Sequence, residues 1–279
     1  MSKLSTREIA VSYHNHTIIN DMNIEVPEGL ITSIIGPNGC GKSTLLKAMA
    51  RILKPDGGAV YLNGRSIQEL KTREVAKEMA ILSQSPDTPQ TLTVAQLVAF
   101  GRYPHRRGAG RLSVADKEAV DKAITDTGML EYKDRPLEAL SGGQKQRAWI
   151  SMALAQETDL LLLDEPTTYL DMAHQLEILE LLQELNEKEE RTIVMVIHDL
   201  NHAARFSDHL IAMKSGEIQH IGTPSDVISK SVLRRVFGID AYVVPDPRTG
   251  KPLCMTYDLV DRHLEAVPET EGPTQVARG

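Results

Sequence analysis

Ile31-Thr32-Ser33-Ile34-Ile35-Gly36-Pro37-Asn38-Gly39-Cys40-Gly41-Lys42-Ser43-Thr44 begins as a β-branched run, breaks into a glycine loop and continues as a helical pattern. Gly36 to Thr44 matches GxxxxGK[ST] at every fixed position. The flanks agree with it: Ile31 to Ile35 predicts a buried strand, and Ser43 to Leu53 a helix ended by Lys54-Pro55-Asp56-Gly57-Gly58. Glycines let the backbone curl until successive N–H groups aim at one anion, and the helix that follows adds its positive N-terminal end. Gly36, Pro37, Asn38, Gly39, Cys40, Gly41, Lys42, Ser43 and Thr44 are therefore expected to cradle the phosphates of ATP. Lys42 would reach the β- and γ-phosphates, and the Ser43 hydroxyl would ligate Mg²⁺. Cys40 lies among these amides beside Lys42, which predicts a thiol of lowered pKa. Its alkylation should inactivate the protein, and ATP should protect it.

Around this loop the pattern is α/β. Ile9 to Ser12, Thr17 to Ile19 and Ile24 to Val26 read as strands before it; Ala59 to Leu62, turning at Asn63-Gly64, and Met79 to Ser83 read as strands after it. Thr93 to Phe100, Val114 to Thr127 and Gly142 to Ala155 have helical spacing, so a helical insert interrupts the core. Strands return at Leu160 to Leu163 and Thr192 to Ile197, joined by an amphipathic helix from about Asp171 to Lys188, the alternation of a parallel sheet. His209 to Met213 and Glu217 to Ile221 predict a hairpin through Lys214-Ser215-Gly216, and Thr223 to Val236 two short helices. Val243-Val244 and Leu253-Cys254-Met255 flank a turn-rich stretch from Pro245 to Pro252. Glu265 to Gly279 is rich in Pro, Glu, Thr and Gly and is expected to be disordered.

Leu160 to Leu163 ends in Asp164-Glu165. Asp164, an acid at the end of a buried strand, suits a carboxylate that supports the same Mg²⁺ from behind its direct ligands, and Glu165 just beyond it suits a general base for the attacking water. Bulk properties narrow the setting. The net charge of −7 argues against a nucleic-acid partner, since phosphate backbones are held by clustered Lys and Arg. Two distant cysteines, Cys40 and Cys254, form no secreted-type disulfide framework and fit a reducing cytoplasm. No run of about 18 apolar residues could span a bilayer, and the start of the chain lacks the apolar core of a signal peptide. If the protein works at a membrane, another chain must hold it there.

Leu140-Ser141-Gly142-Gly143-Gln144 lies between the phosphate loop and Asp164. With these three motifs in this order, the chain resembles the ATP-binding subunit of ABC transporters over nearly its whole length. The resemblance implies a P-loop NTPase core with a mainly parallel sheet, an N-terminal antiparallel β subdomain and a helical insert at about 86–156. One ATPase domain would cover 1–264, including a C-terminal extension at about 240–264. It implies that Ser141, Gly142, Gly143 and Gln144 open a helix serving the ATP held by a second subunit, hence a homodimer; a hydroxyl, two glycines and a helix dipole suit a γ-phosphate. It implies that Tyr13 stacks on adenine, that Gln84 ligates Mg²⁺ and senses the γ-phosphate, and that Asp171 links the two ATP sites. His198 would contact the γ-phosphate and position Glu165. His202, four residues on, has no third ligand and reads as surface.

In the same family the insert docks an integral-membrane permease, which implies a peripheral position on the cytoplasmic face of the cell membrane. Gly101-Arg102-Tyr103-Pro104-His105-Arg106-Arg107, with Arg111 beyond, has a plain reading as a solvated basic loop suited to anionic headgroups. Yet Gly101 to His105, Thr167 to Gln175, His198 to Asn201 and Asp246 to Leu253 are together similar to importers of the iron-siderophore, haem and cobalamin type. Ferric siderophores are the expected cargo, selected by the permease and an extracytoplasmic binding protein. The alternatives are an importer ATPase for haem, cobalamin or another metal or small solute, and a soluble non-transport ABC ATPase, against which stand the one ATPase half and the lack of sustained heptads.

Overall fold

The computed structural model describes residues 2–13, 16–83, 91–106 and 111–260. Gln84, the loop 84–90, Arg107 and the tail 265–279 lie outside them. Strand β1 (Ser2–Tyr13) pairs antiparallel with β2 (His16–Pro27). The two runs expected at 17–19 and 24–26 are one strand, because Asn20, Asp21 and Asn23 occupy exposed positions of a sheet wetted on one side. Register shifts in the ladder and a positive φ of 48° at Asp21 break the period of two that would have announced it.

Strand β3 (Ile31–Ile35) feeds the glycine loop and helix α1 (Lys42–Met49). β4 (Gly57–Leu62) and β5 (Arg65–Ser66) complete a first, antiparallel sheet in the order β2-β1-β4-β5. Helix α2 (Thr72–Glu78) leads to β6 (Met79–Leu82), and α3 (Val94–Ala99), α4 (Val114–Asp126) and α5 (Gly142–Leu154) form the insert. Then follow β7 (Leu160–Asp164), α6 (Met172–Glu189), β8 (Thr192–Val196), α7 (Leu200–Phe206), β9 (His209–Lys214) and β10 (Glu217–Gly222). The second sheet has the order β10-β9-β3-β8-β7-β6, parallel except for the antiparallel edge strand β10. Helices α8 (Pro224–Val227) and α9 (Lys230–Phe237) lead to an antiparallel pair, β11 (Ile239–Pro245) and β12 (Pro252–Leu259).

β3, β7 and β8 are buried at every residue, so both faces of the parallel sheet are covered and apolar residues dominate their sequences, with Thr32, Ser33 and Thr192 as buried hydroxyls and Asp164 at the end of β7. Alternation still sorts the side chains. Leu160 and Leu162 join Leu45, Leu46 and Met49 of α1 and the inner face of the antiparallel sheet. Leu161 and Leu163 join Ile150 and Leu154 of α5 and Leu179 and Leu182 of α6. Each fully buried leucine contributes roughly 1.5–3 kcal/mol. Polar groups of these strands can emerge only at the strand ends.

The segment Gly101 to Arg106 is not a solvated basic loop. Arg102 is 4% exposed; its Nε donates to Asp116 Oδ1 at 3.0 Å, and its Nη1 to Glu157 Oε2 and to the Ala155 carbonyl, both at 2.6 Å. His105 Nε2 lies 2.8 Å from the Gln156 carbonyl, and Arg106 accepts from Arg73 through its carbonyl. Tyr103 alone of Gly101 to Pro104 faces solvent. A guanidinium spends five donors, and the end of α5 supplies carbonyl and carboxylate acceptors for it, which the charge pattern of the segment could not reveal.

The Asp116 carboxyl is lowered from 3.8 to about 2, first by the bond from the Ser113 hydroxyl and then by Arg102. A folded value below the unfolded one means that this carboxylate contributes stability above about pH 4 and loses it as pH falls toward 2. Asp116→Asn should therefore melt lower than the parent chain at pH 7, by up to roughly 3 kcal/mol in stability because Arg102 stays buried without its partner. The two melting curves should converge as pH falls from 4 to 2, and curves that stay parallel would contradict the ion pair.

Candidate active site

The carboxyl ends of β3, β7 and β8 meet at one edge of the sheet, and each carries a predicted residue. Gly36 leaves β3 with φ 154°, and a Cβ there would lie 2.2 Å from the Met213 carbonyl oxygen, so only glycine lets the loop pass β9. Gly39 and Gly41 take φ 76° and 105° and complete the curl. The Lys42 Nζ folds back into the loop and donates to the carbonyls of Gly36 at 2.8 Å and Pro37 at 3.0 Å. Ser43, in the first turn of α1, donates its hydroxyl to Asp164 Oδ1 at 2.7 Å. Asp164 ends β7 at 3% exposure; burial raises its pKa, partly offset by the Ser43 bond and the Lys47 charge.

Glu165 turns out of the strand with φ 55°, a left-handed conformation that costs energy for a residue with a Cβ. Its carboxylate is held at both oxygens. Oε1 lies 2.6 Å from His198 Nε2, just past the end of β8, and Oε2 accepts from the Thr168 hydroxyl at 3.0 Å. Sequence reasoning missed Thr168. Its signal was a hydroxyl three residues after the acid, inside the turn closed by the Thr168 N–H to the Glu165 carbonyl.

The loop, Lys42, Ser43, Glu165, Thr168 and His198 line a cleft of 770 Å³ together with Tyr13, Tyr169, Ile18 and Phe237, and Asp164 lies just behind Ser43. Ile18 and Phe237 carry no motif and arrive from β2 and α9, so nothing in the sequence marked them. The volume suits a nucleotide-sized ligand, with glycine amides at one end and rings at its walls. Ser43 and Asp164 put two hard oxygens side by side, the donor type that a Mg²⁺ ion takes. The residues present fit Mg-ATP.

Ser141 to Gln144 and Asp171 stand elsewhere. Among the described residues, neither segment lines the cleft. Ser141 caps α5 in a reciprocal box: its hydroxyl accepts from the Gln144 N–H at 3.3 Å, and Gln144 Oε1 accepts from the Ser141 N–H at 3.0 Å. Asp171 caps α6, accepting from the His174 N–H at 3.0 Å, with the His174 Nδ1 at 2.8 Å. The starts of the two helices touch, since a Cβ on Gly143 would meet the His174 ring at 2.5 Å. They form one exposed corner, with Tyr169 and Met172 bare beside it.

Two expectations fail here. The Cys40 side chain is 5% exposed and turns into the apolar cluster under the loop, and burial raises its thiol pKa against the lowering effect of Lys42. A loop rich in inward amides did not imply an inward thiol. His202 is not a surface residue: it is half-buried, edge-on to Phe206. No cluster of His, Cys, Asp and Glu suited to a metal ion occurs among the described residues.

Comparison with known proteins gives a consistent neighbourhood. Residues 19–168 match the ABC transporter family. The chain is 57% identical to the iron(3+)-hydroxamate import ATP-binding protein FhuC of Bacillus subtilis (strain 168), over 96% of its own length and 99% of that protein. It is 53% identical to a siderophore transport system ATP-binding protein, YusV, of the same organism, over 92% and 94% of the two chains. A solved dimeric structure of MJ0796, a bacterial ABC transporter cassette, superposes with a TM-score of 0.70 at 28% identity, covering 79% of this chain and 98% of that one.

Two outcomes follow from the geometry. A folded carboxyl with a raised pKa contributes its stability below the unfolded value and loses it as pH rises, so ionised Asp164 destabilises the protein at pH 7. Asp164→Asn, which can still accept from Ser43, should raise the melting temperature by roughly 2–4 °C, the shift of about 1 kcal/mol in a domain of this size, and should lower ATP turnover. A lowered melting temperature would contradict the assignment. Cys40 should react slowly with iodoacetamide at pH 7 and quickly once the chain is unfolded in guanidinium, and fast labelling of the native chain would restore the exposed thiol.

Proposed function

The chain belongs to the ABC transporter family, and on that premise we propose that it is the ATP-hydrolysing subunit of an importer of ferric siderophores, acting as a homodimer beneath a separate permease. One observation carries the catalytic part. Glu165 and His198 meet at 2.6 Å inside the cleft, whereas the capped helix start at Ser141 lies outside it. A site with a base but without its second set of anion donors is completed by another copy.

In this reading the loop amides and Lys42 hold the phosphates and Tyr13 stacks on adenine. Ser43 and Asp164, with Gln84, would hold Mg²⁺, which when bound would supply positive charge to offset that of the phosphates. Glu165 takes a proton from the attacking water as the new oxygen–phosphorus bond forms and the bridging bond to ADP breaks. Thr168 and His198 fix the direction of that carboxylate. Ser141 already accepts from Gln144, which leaves its O–H free to donate, and the N–H groups of Gly142 and Gly143 lie in the first turn, where no helical carbonyl reaches them. These donors, with the side chain of Gln144, serve the γ-phosphate of the opposing copy, and Asp171 passes the state of one site to the other.

The ATPase domain comprises 1–264 with its insert at about 86–156, and the insert presents Phe100, Tyr103 and Val114, each more than half exposed, to the permease. No helix among the described residues is long and apolar enough to cross a membrane, so the permease holds the subunit peripherally at the cytoplasmic face. An extracytoplasmic binding protein delivers cargo from the far side, and nucleic acid is no partner of this acidic chain. The cargo class rests on similarity to the hydroxamate importer subunit.

Glu165→Gln should lower turnover by at least about 100-fold and give an ATP-stabilised dimer on size exclusion. Lys42→Ala and Ser141→Arg chains, each inactive alone, should regain up to about a quarter of parental ATPase activity when mixed, since one mixed dimer keeps one intact site. An Glu165→Gln chain that stays monomeric in saturating Mg-ATP, or mixed chains with no recovery, would defeat the shared-site reading. Reconstitution with the co-purified permease should give ATP-dependent uptake of a ferric hydroxamate, and uptake of haem alone would reassign the cargo.

A further inference from the structure

The β11–β12 pair at the C-terminal end grips one short helix at both ends. α7 has seven residues, too few to be stable by its own hydrogen bonds, so its position is set by what packs on it. Near its start, Asn201 forms a reciprocal pair with Cys254 of β12: the Cys254 N–H donates to Asn201 Oδ1 at 2.8 Å, and Asn201 Nδ2 donates to the Cys254 carbonyl at 3.2 Å. The side-chain amide thus takes the place of a neighbouring strand. At its end, the Lys251 Nζ donates to the Arg205 carbonyl at 2.8 Å and the Ser207 carbonyl at 2.9 Å, covering acceptors that the helix leaves open and setting a cation against its negative pole.

The residue at stake is His198. It directly precedes Asp199, the N-cap of α7, which accepts from the His202 N–H at 2.7 Å. Two residues of loop separate the last residue of β8 from that cap, so a tilt of the first turn of α7 moves the imidazole. A contact of 2.6 Å to Glu165 tolerates little such movement. Ser207 anchors the far end of α7 to β3 by a 2.7 Å bond to Ser33, which leaves the first turn, held through Asn201, as the adjustable one. Lys251 is drawn far enough inside for burial to depress its ammonium, as expected of a group committed to carbonyls rather than to water.

We propose that the C-terminal β pair is a positioning element for hydrolysis, with Asn201 and Lys251 as positioning residues that hold α7 so that His198 stays against Glu165. This rests on the reading of Glu165 and His198 as catalytic given above. The bonds to Cys254 and to the two carbonyls act through the helix and touch no reacting atom. Loss of them should slow the hydrolytic step while leaving ATP binding, which depends on the loop and Tyr13, in place.

The test uses the full chain and compares Asn201→Leu, Lys251→Met, Lys251→Arg, His198→Ala and the double variant Asn201→Leu/His198→Ala, by steady-state ATPase kinetics and thermal melting. Asn201→Leu and Lys251→Met should each lower kcat about tenfold with the KM for ATP within about twofold of the parent. Lys251→Arg, which can still cap the helix, should keep most of the turnover that Lys251→Met loses. In the His198→Ala background Asn201→Leu should lower kcat no further, because its effect passes through the histidine. An unchanged kcat in Asn201→Leu, or a loss that persists undiminished beside His198→Ala, would overturn the positioning role and leave the catalytic reading standing. Full turnover of His198→Ala would overturn the catalytic reading and the positioning role with it. Should Asn201→Leu fail to fold, Lys251→Met and its own combination with His198→Ala carry the same comparison from the other end of the helix.

Discussion

Strands buried on both faces can release their polar groups only at their ends, and that constraint organises the whole molecule. β3, β7 and β8 are buried along their lengths, with Thr32, Ser33 and Thr192 as the buried hydroxyls among apolar residues, yet each ends in, or is followed within two residues by, a group that cannot stay in a core: the curled loop after Ile35, the carboxylates of Asp164 and Glu165, and His198. Because the strands are parallel, these ends fall on one edge. The 2.7 Å bond from Ser43 to Asp164 and the 2.6 Å contact from His198 to Glu165 are what such an edge makes possible between residues remote in sequence. In β7, leucines at alternate positions tie the strand to α1 on one side and to α5 of the insert on the other, so the insert and the phosphate loop pack on the strand that carries Asp164.

The same edge explains where strain and desolvation are kept. Asp164 sits where burial raises its pKa, and Glu165 adopts a left-handed conformation at its side. Both are local costs carried by a core that over-determines the strands. Two neighbouring carboxylates repel, and a divalent cation bound between Ser43 and Asp164 would relieve the first of them. Stability and function therefore pull in opposite directions at this strand end, as they commonly do where binding supplies the missing charge.

Motifs whose chemistry is local were legible in the sequence. Gly36 to Thr44, Asp164-Glu165 and the cap at Ser141 each declare themselves through spacing, because backbone conformation and side-chain type are fixed within a few residues. The parallel core was legible for the same reason, as were the helices of the insert. What stayed hidden depends on contacts between remote segments. Arg102 looked solvated because its acceptors come from the ends of α5 and from Glu157, more than fifty positions away. Cys40 looked reactive because the loop's amides point inward, and only the packing of α1 against the antiparallel sheet decides that its thiol does not. The first two strands were misread where a bulge put two polar residues in succession.

The half-site at Ser141 and the β pair at the C-terminal end answer different needs of one catalytic edge. In the proposed arrangement, phosphate donors outside the cleft make hydrolysis depend on a second copy, so that turnover is tied to closure of the pair. The histidine cannot be fixed in that way, since it must meet Glu165 within its own chain and sits on a loop leading to a helix of only two turns. The Cys254 backbone of β12, paired with the Asn201 side chain, and the Lys251 side chain in the turn before β12 supply the missing rigidity by hydrogen bonds at both ends of α7. An enzyme whose nucleotide-binding parts move against each other needs its base held independently of that movement. In the proposed arrangement the extension acts on His198 through α7, which is why the helix, short as it is, is bound at both of its ends.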